Sequence, residues 1–214
     1  PERSSPAETD ADVIVVGAGI AGITTAYLLA TEGKRVMLLD EGPIGRGQTE
    51  RTSAHLASII DDRFSMLEKR RDVDTARLAY RSHATAIDTI ERIVHEHGIE
   101  CSFARVDAFL FRGDTDESEQ LDEEFAAALR AGVTDRTWAA EAGPIRRRAI
   151  RFRNQAIFHP VKYMLALAEA AENRGAMIRT GRRVIDVSGA RKGERASVTL
   201  DNDLKLRADQ VVVA

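Results

Sequence analysis

Residues 13–40 read VIVVGAGIAGITTAYLLATEGKRVMLLD, and the reading of this stretch decides the fold. The first four residues are a short apolar run rich in β-branched side chains, which favours a buried strand over 13–16. Gly17-Ala18-Gly19-Ile20-Ala21-Gly22 follows at once, then a stretch of helical composition over 20–31, then a second apolar strand over 35–39 that ends in Asp40. Strand, helix and strand within about 30 residues make a βαβ unit, and in that setting a GxGxxG hexamer becomes a dinucleotide fingerprint. Each glycine has a job there. Gly17 permits the tight turn out of the strand, Gly19 lets a pyrophosphate come close to the backbone, and Gly22 lets the helix lie close on the sheet. Ile20 and Ala21 form the first helical turn, whose outward N–H groups and positive dipole end stabilise phosphate charge. Asp40 stands where a carboxylate accepts hydrogen bonds from an adenosine ribose, with Glu41 as the alternative, and an acid there disfavours a 2′-phosphate. The fingerprint alone leaves FAD and NAD both open.

Composition narrows the class. A hydrophobic share of 43% beside 30% charged residues fits a folded globular chain rather than a disordered one. No apolar run approaches the roughly 18 residues of a membrane-crossing helix, so no membrane partner is expected. Residues 1–11 are polar and acidic, without the order of a secretory signal, and are expected to be a disordered tail. Cys101 is the single cysteine, which excludes an internal disulfide or a cysteine-built metal centre here and points to a reducing cytoplasm. The net charge of −3 argues against a nucleic-acid partner. Arg146, Arg147, Arg148, Arg151 and Arg153 form one basic cluster, either an anion-attracting patch or a solvated strand edge. No metal site is expected, because His95 and His97 fall on different faces of a helix and have no third ligand in sequence.

Past a glycine-rich loop over 42–47, apolar residues at steps of three and four predict a long helix over 74–97, closed by Gly98. Its stripe runs through Ala76, Tyr80, His83, Ile87, Ile90, Val94 and His97, so His83 and His97 read as hydrogen-bonded core histidines. Extended segments follow over 101–104, 107–112 and 149–158, with a helix over 116–131 whose inward side is Leu121, Phe125, Ala128 and Leu129. Trp138 reads as core, while Phe109 and Phe111 share one strand face as core or cavity wall. Pro160 opens a helix that runs to 174, and strands are expected over 176–180, 183–187, 195–200, 204–206 and 210–213. The order is α/β, a mixed insert, then α/β again. It predicts an α/β fold: a Rossmann-like dinucleotide-binding domain over 12–98 and 159–214, interrupted by a mixed α+β substrate-domain insert over 99–158.

The stretch Gly42-Pro43-Ile44-Gly45-Arg46-Gly47-Gln48-Thr49-Glu50-Arg51-Thr52-Ser53-Ala54-His55-Leu56 resembles the D-amino-acid oxidase superfamily of FAD enzymes, which includes the glycine and sarcosine oxidases. The resemblance extends over nearly the whole chain. Arg51 to Leu56, Asp61-Asp62-Arg63-Phe64 and Ser82-His83 look most like a bacterial subgroup whose full-length members carry a C-terminal Rieske domain. The resemblance implies FAD as cofactor, a small-molecule substrate, commonly an amine or amino acid, and hydride abstraction by the flavin. It implies a helix start at Thr52, Ser53 and Ala54 beside the flavin and pyrophosphate, with Arg51 either neutralising phosphate or standing as an ordinary surface arginine. His55 then falls near the flavin ring, as a hydrogen-bond donor or acid–base group, a covalent attachment point, or a buried structural histidine. Val184, in Arg183-Val184-Ile185-Asp186-Val187, meets the adenine through its backbone. A Rieske [2Fe–2S] cluster needs two cysteines and two histidines, so in this reading it belongs to a C-terminal domain absent here, and the chain is a fragment that ends before the family's next glycine turn. Electrons would go to oxygen, a quinone or that cluster. An FAD-binding fragment without activity and an NAD-linked dehydrogenase are the other readings.

Overall fold

The computed structural model describes residues 10–47, 49–111, 118–143, 146–190 and 194–214. In chain order the elements are β1 (Asp10–Val16), α1 (Ile20–Thr31), β2 (Val36–Leu39), a 3₁₀ turn at Thr49–Arg51, β3 (His55–Leu56), α2 (Phe64–Arg70) and α3 (Val73–His97). Then come β4 (Ala104–Phe111), α4 (Ser118–Arg130), β5 (Arg136–Ala139), β6 (Ala149–Ile157), α5 (Pro160–Asn173), β7 (Met177–Arg179), β8 (Val184–Ser188), β9 (Ala196–Leu200) and β10 (Lys205–Val213). They form two compact units. One is Pro1–Thr52 with Pro160–Ala214, the other Ser53–His159.

The first unit is built on a six-stranded sheet of order β7-β2-β1-β10-β9-β8. The strands β7, β2, β1 and β10 are parallel neighbours, whereas β10–β9 and β9–β8 are antiparallel. All four residues of β2 are buried, as a strand covered on both faces requires. One face carries the cluster of Ile14, Met37, Leu39, Val198, Leu200 and Leu206. By alternation Val13, Val15, Val36 and Leu38 point to the other face. The helices α1 and α5 pack against each other, and Arg174 binds them by donating to the Tyr27 hydroxyl at 3.2 Å. The chain leaves β1 toward β2 on one side and returns to β1 through β10 on the other. That reversal is a topological switch point, the place where open α/β sheets bind ligands.

In the second unit β3 and β5 lie along one side of β6 and β4 lies along the other. The core joins Phe64, Ala76, Leu121, Ala127, Ala128, Val133, Ile150 and Phe152. Asp72 caps α3 by accepting from the Thr75 N–H at 2.6 Å, and Gly98 closes it at φ 60°.

Several expectations need correction. Asp10 and Ala11 belong to β1, and Ala11 is fully buried, so the expected tail over 1–11 is too long; its first nine residues lie outside the described ones. The first unit gives way after Thr52 rather than after Gly98, because α2 and the start of α3 join the core of the second unit. Residues 101–103 are irregular, with Ser102 at φ 54°. The two expected strands over 204–206 and 210–213 are one strand, β10, which pairs first with β9 and then with β1. β5 was not expected at all. His83 is exposed, since the inward face of α3 runs through Ile87, Ile90, Ile93 and Val94. Leu129 is likewise exposed, and Trp138 is partly so, stacked on Phe125 at 4.4 Å with Arg148 over its ring. Of the expected segments, Arg112, Asp116 and Glu117 fall outside the described residues.

Glu124 is 2% exposed, an unusual place for a carboxylate. Its two oxygens accept from the Phe64 and Ser65 N–H groups at 2.8 and 2.9 Å. A side chain of α4 thus satisfies the start of α2, where Arg63 supplies no side-chain cap. Replacing Glu124 with Ala strands both buried donors and is expected to cost about 1–3 kcal/mol, with Glu124→Gln keeping one acceptor and losing less; denaturant unfolding of both variants checks this. Carboxylates at Asp12, Asp72, Glu91 and Asp122 are all held below their ordinary range, by hydrogen bonds from Arg35, the Thr75 backbone, Arg105 and Arg148 respectively. A lowered acid contributes stability above its unfolded pKa and loses it as pH falls through its folded one. The thermal midpoint should therefore be flat near neutrality and decline below about pH 4, as a melting series across pH will read.

Candidate functional site

The site grows from the end of β1. The Gly17 N–H donates to the Leu39 carbonyl at 2.8 Å, and the Ala214 N–H donates to the Val16 carbonyl at 2.9 Å, so the turn is anchored on both neighbouring strands. Gly17 takes φ 109°, where a side chain would be strained and its Cβ would meet the Ala214 carbonyl oxygen. A Cβ on Gly22 would run into the Gly17 carbonyl oxygen and then the Ala214 methyl. The need for glycine at position 22 is thus a collision within the turn itself, with the strand end close behind it.

At Gly19 the situation is reversed. A Cβ there would meet nothing within 4 Å, and Gly19 is exposed as the N-cap of α1 at φ −71°, ψ 178°. No side chain caps this helix. The N–H groups of its first turn, at Ile20, Ala21 and Gly22, have no carbonyl four residues back within the helix.

Asp40 lies just beyond β2. Its Oδ2 accepts from the Ala18 N–H at 2.6 Å and its Oδ1 from the Gly42 N–H at 2.7 Å. Its own backbone is tied too, the N–H donating to the Arg179 carbonyl at 3.1 Å and the carbonyl accepting from the Arg182 N–H at 2.9 Å. Asp40 therefore organises the glycine turn as well as facing the space beside it. A cleft of about 330 Å³ lies there, and its lining brings together Gly17, Asp40, Glu41 and Val184. Besides Val16 and Leu39 at the strand ends, sequence reasoning missed two charged lining residues, Arg182 and Arg183. Arg183 stands 3.6 Å from Glu41, both well exposed. Their signal was the basic pair just before Val184, which carries no motif of its own.

The other expected residues do not line this cleft. Arg51 ends the 3₁₀ turn, and Arg51, Thr52 and Ser53 are exposed. No helix starts at Thr52, Ser53 and Ala54. The chain runs instead through Ala54 at φ 62° into β3. There Phe158 donates its N–H to the Ala54 carbonyl at 3.3 Å, and His55 pairs with Ile157. His55 is exposed, which overturns the buried structural reading. In the basic cluster, Arg148 pairs with Asp122 at 2.6 Å and Arg151 with Asp107.

An uncapped helix start, a glycine turn that excludes side chains, and a cleft with a carboxylate pair at its edge suit the pyrophosphate and adenosine of a dinucleotide. The family model described as DAO, FAD dependent oxidoreductase, matches residues 12–214, and the chain belongs to that family. The cofactor such proteins use is FAD, which sets aside the NAD-linked reading. The chain is 32% identical over 192 residues to YhfW of Bacillus subtilis, named as a Rieske 2Fe-2S iron-sulfur protein; the match covers 89% of this chain and 37% of the relative. Glycine oxidase from Geobacillus kaustophilus superposes with a TM-score of 0.76 at 19% identity, over 96% of this chain and 55% of that one. L-amino acid deaminase from Proteus vulgaris superposes with a TM-score of 0.72 at 20% identity, over 100% of this chain and 49% of that one. The chain thus spans about a third to half of the length of these proteins. Among the described residues no helix is long and apolar enough to cross a membrane.

The contrast between two glycines yields a test. Gly22→Ala should destabilise the protein by about 1–3 kcal/mol through overpacking, whereas Gly19→Ala, with open space and a negative φ, should stay within about 1 kcal/mol of the parent. Thermal unfolding of both variants measures the difference.

Proposed function

We propose that this chain forms the adenosine- and pyrophosphate-binding part of the FAD site in an oxidoreductase that oxidises an amine or amino acid. The observation that carries the reading is the uncapped start of α1 beside a cleft where Asp40, Glu41 and Val184 converge. Bound there, FAD supplies the acceptor for a hydride equivalent taken from a substrate C–H bond. The chain's own residues bind and orient. N–H groups from Gly19 to Gly22 hold the pyrophosphate, with Gly17 keeping the turn clear. Asp40 and Glu41 accept from the ribose hydroxyls, and the backbone of Val184 meets the adenine. Arg51, in the same unit as the cleft, neutralises phosphate. The substrate class takes its support from the names of the structural neighbours, a glycine oxidase and an L-amino acid deaminase.

Similarity to YhfW favours one addition. In a longer parent of that kind, electrons would leave singly through a Rieske cluster. The cluster's cysteines would come from outside this sequence, because Cys101 is its only cysteine and is buried.

Titration of the purified chain with FAD, followed by flavin fluorescence, tests the reading. FAD and ADP should compete, FMN should not, and Asp40→Ala should weaken FAD by about tenfold or more while lowering the melting temperature, because Ala18 and Gly42 lose their acceptor. Unchanged FAD affinity in that variant would sink the placement of the ribose, and failure of the parent chain to take up FAD would sink its independent cofactor binding.

A further inference from the structure

Two arginines in the lining of the cleft beside the glycine turn, Arg182 and Arg183, have no part yet in its chemistry. They lie between β7 and β8, and their backbone is held on both sides. The Arg182 N–H donates to the Asp40 carbonyl at 2.9 Å, and the Arg183 carbonyl accepts from the Asp201 N–H at 3.0 Å. β8 then bulges at once, since Val184 pairs with Leu200 and Asp186 with Thr199, which leaves Ile185 as the extra residue. A bulge bends its strand and re-aims the side chains beside it. The start of β8 is thus pinned to the residue that ends β2 and to the turn after β9, with both arginines in the cleft lining.

Arg183 bridges two sides of that lining. Its side chain starts next to Val184, and its Nε lies 3.6 Å from Glu41 Oε2. Among the described residues neither group has another ion pair. At 68% and 71% exposure water screens their attraction, so an entering ligand parts the pair at small cost. The charges do not mark a phosphate seat: Asp40 and Glu41 balance Arg182 and Arg183, while the uncapped start of α1 already offers backbone donors to phosphate. What a guanidinium brings besides charge is a plane. It is delocalised and weakly hydrated, and it stacks on aromatic faces.

We propose that Arg183 is a specificity-determining residue of this cleft, its guanidinium stacking on the adenine while Glu41 holds its far end. This inference rests on the FAD reading, in which Glu41 accepts from the ribose and the Val184 backbone meets the adenine. The Arg183 side chain runs from the neighbour of one of these residues to the other, so with ribose and base at their contacts the guanidinium meets the face of the base. Glu41 then serves twice, as ribose acceptor and as anchor of the stacking arginine. A lysine at this position keeps the charge and loses the plane.

Calorimetric titration of the 214-residue chain with ADP and with FAD tests it. Arg183→Met should weaken ADP by about fivefold, and Arg183→Lys should weaken it by about as much. The ratio of parent to variant should persist at about 0.5 M sodium chloride, where the effect of an exposed charge is screened. Glu41→Gln should weaken ADP more in the parent than in the Arg183→Met background, because only in the first does it remove the anchor. All these variants should melt with the parent, since both side chains are well exposed. Parent-like ADP affinity in Arg183→Met, full recovery in Arg183→Lys, a ratio that vanishes in salt, or strictly additive losses in the double variant each overturn the proposal and leave the FAD reading standing. Uptake of neither FAD nor ADP by the parent chain sinks the FAD reading, and this inference with it.

Discussion

The carboxylate of Asp40 holds the N–H groups of Ala18 and Gly42, and the shape of the first unit's ligand site depends on that pair of hydrogen bonds. One oxygen fixes the turn that leaves β1, the other fixes the turn that leaves β2. The two parallel strands therefore end in one rigid rim, with the start of α1 beside it. The same rim needs glycine for a steric reason, because the Gly17 carbonyl fills the space where a side chain at position 22 would stand. A carboxylate clamp and two missing β-carbons thus shape the recess from opposite directions: one draws the backbone together, the others let it come close.

The second unit solves a similar problem with other residues. The start of α2 would leave two buried backbone donors, and a carboxylate on a neighbouring element, Glu124 of α4, supplies the acceptors. Arg105 does the converse for carbonyls, reaching from β4 to the Asn154 carbonyl in β6 while its other nitrogens hold Asp88 and Glu91 on α3. These bonds join segments 14 to 60 positions apart in sequence. They cost side-chain entropy and desolvation, and in return they leave little freedom in the backbone they tie together.

Much of this architecture was legible in the sequence where local physics dominates. The β-branched run at 13–16, the helix at 20–31 and the long helix ending at Gly98 are each set by short-range periodicity, caps and glycine conformations. So was the meeting of Gly17 and Asp40, because the spacing of a βαβ unit leaves little choice about where a terminal acid falls, whereas Val184 came from the family resemblance alone. Legibility failed where a residue's role depended on distant partners. Glu124 was passed over because a charged residue reads as solvent-facing, and only the N–H groups of Phe64 and Ser65 make its burial tolerable. His83 was assigned to the core because it fits the stripe arithmetic, yet α3 turns its inward face through Ile87, Ile90 and Ile93.

By itself, then, the sequence determined a dinucleotide-binding βαβ unit, its glycine turn and its acid, since those follow from steric limits on a backbone that must pass close to a phosphate. The tertiary structure alone decided that Asp40 is a clamp on the turn as well as a candidate ribose ligand, that Arg182 and Arg183 complete its cleft, and that residues 53–98 join the second unit. Those outcomes rest on hydrogen bonds and packing between segments remote in the chain, and no local pattern encodes which remote donor a carboxylate will meet.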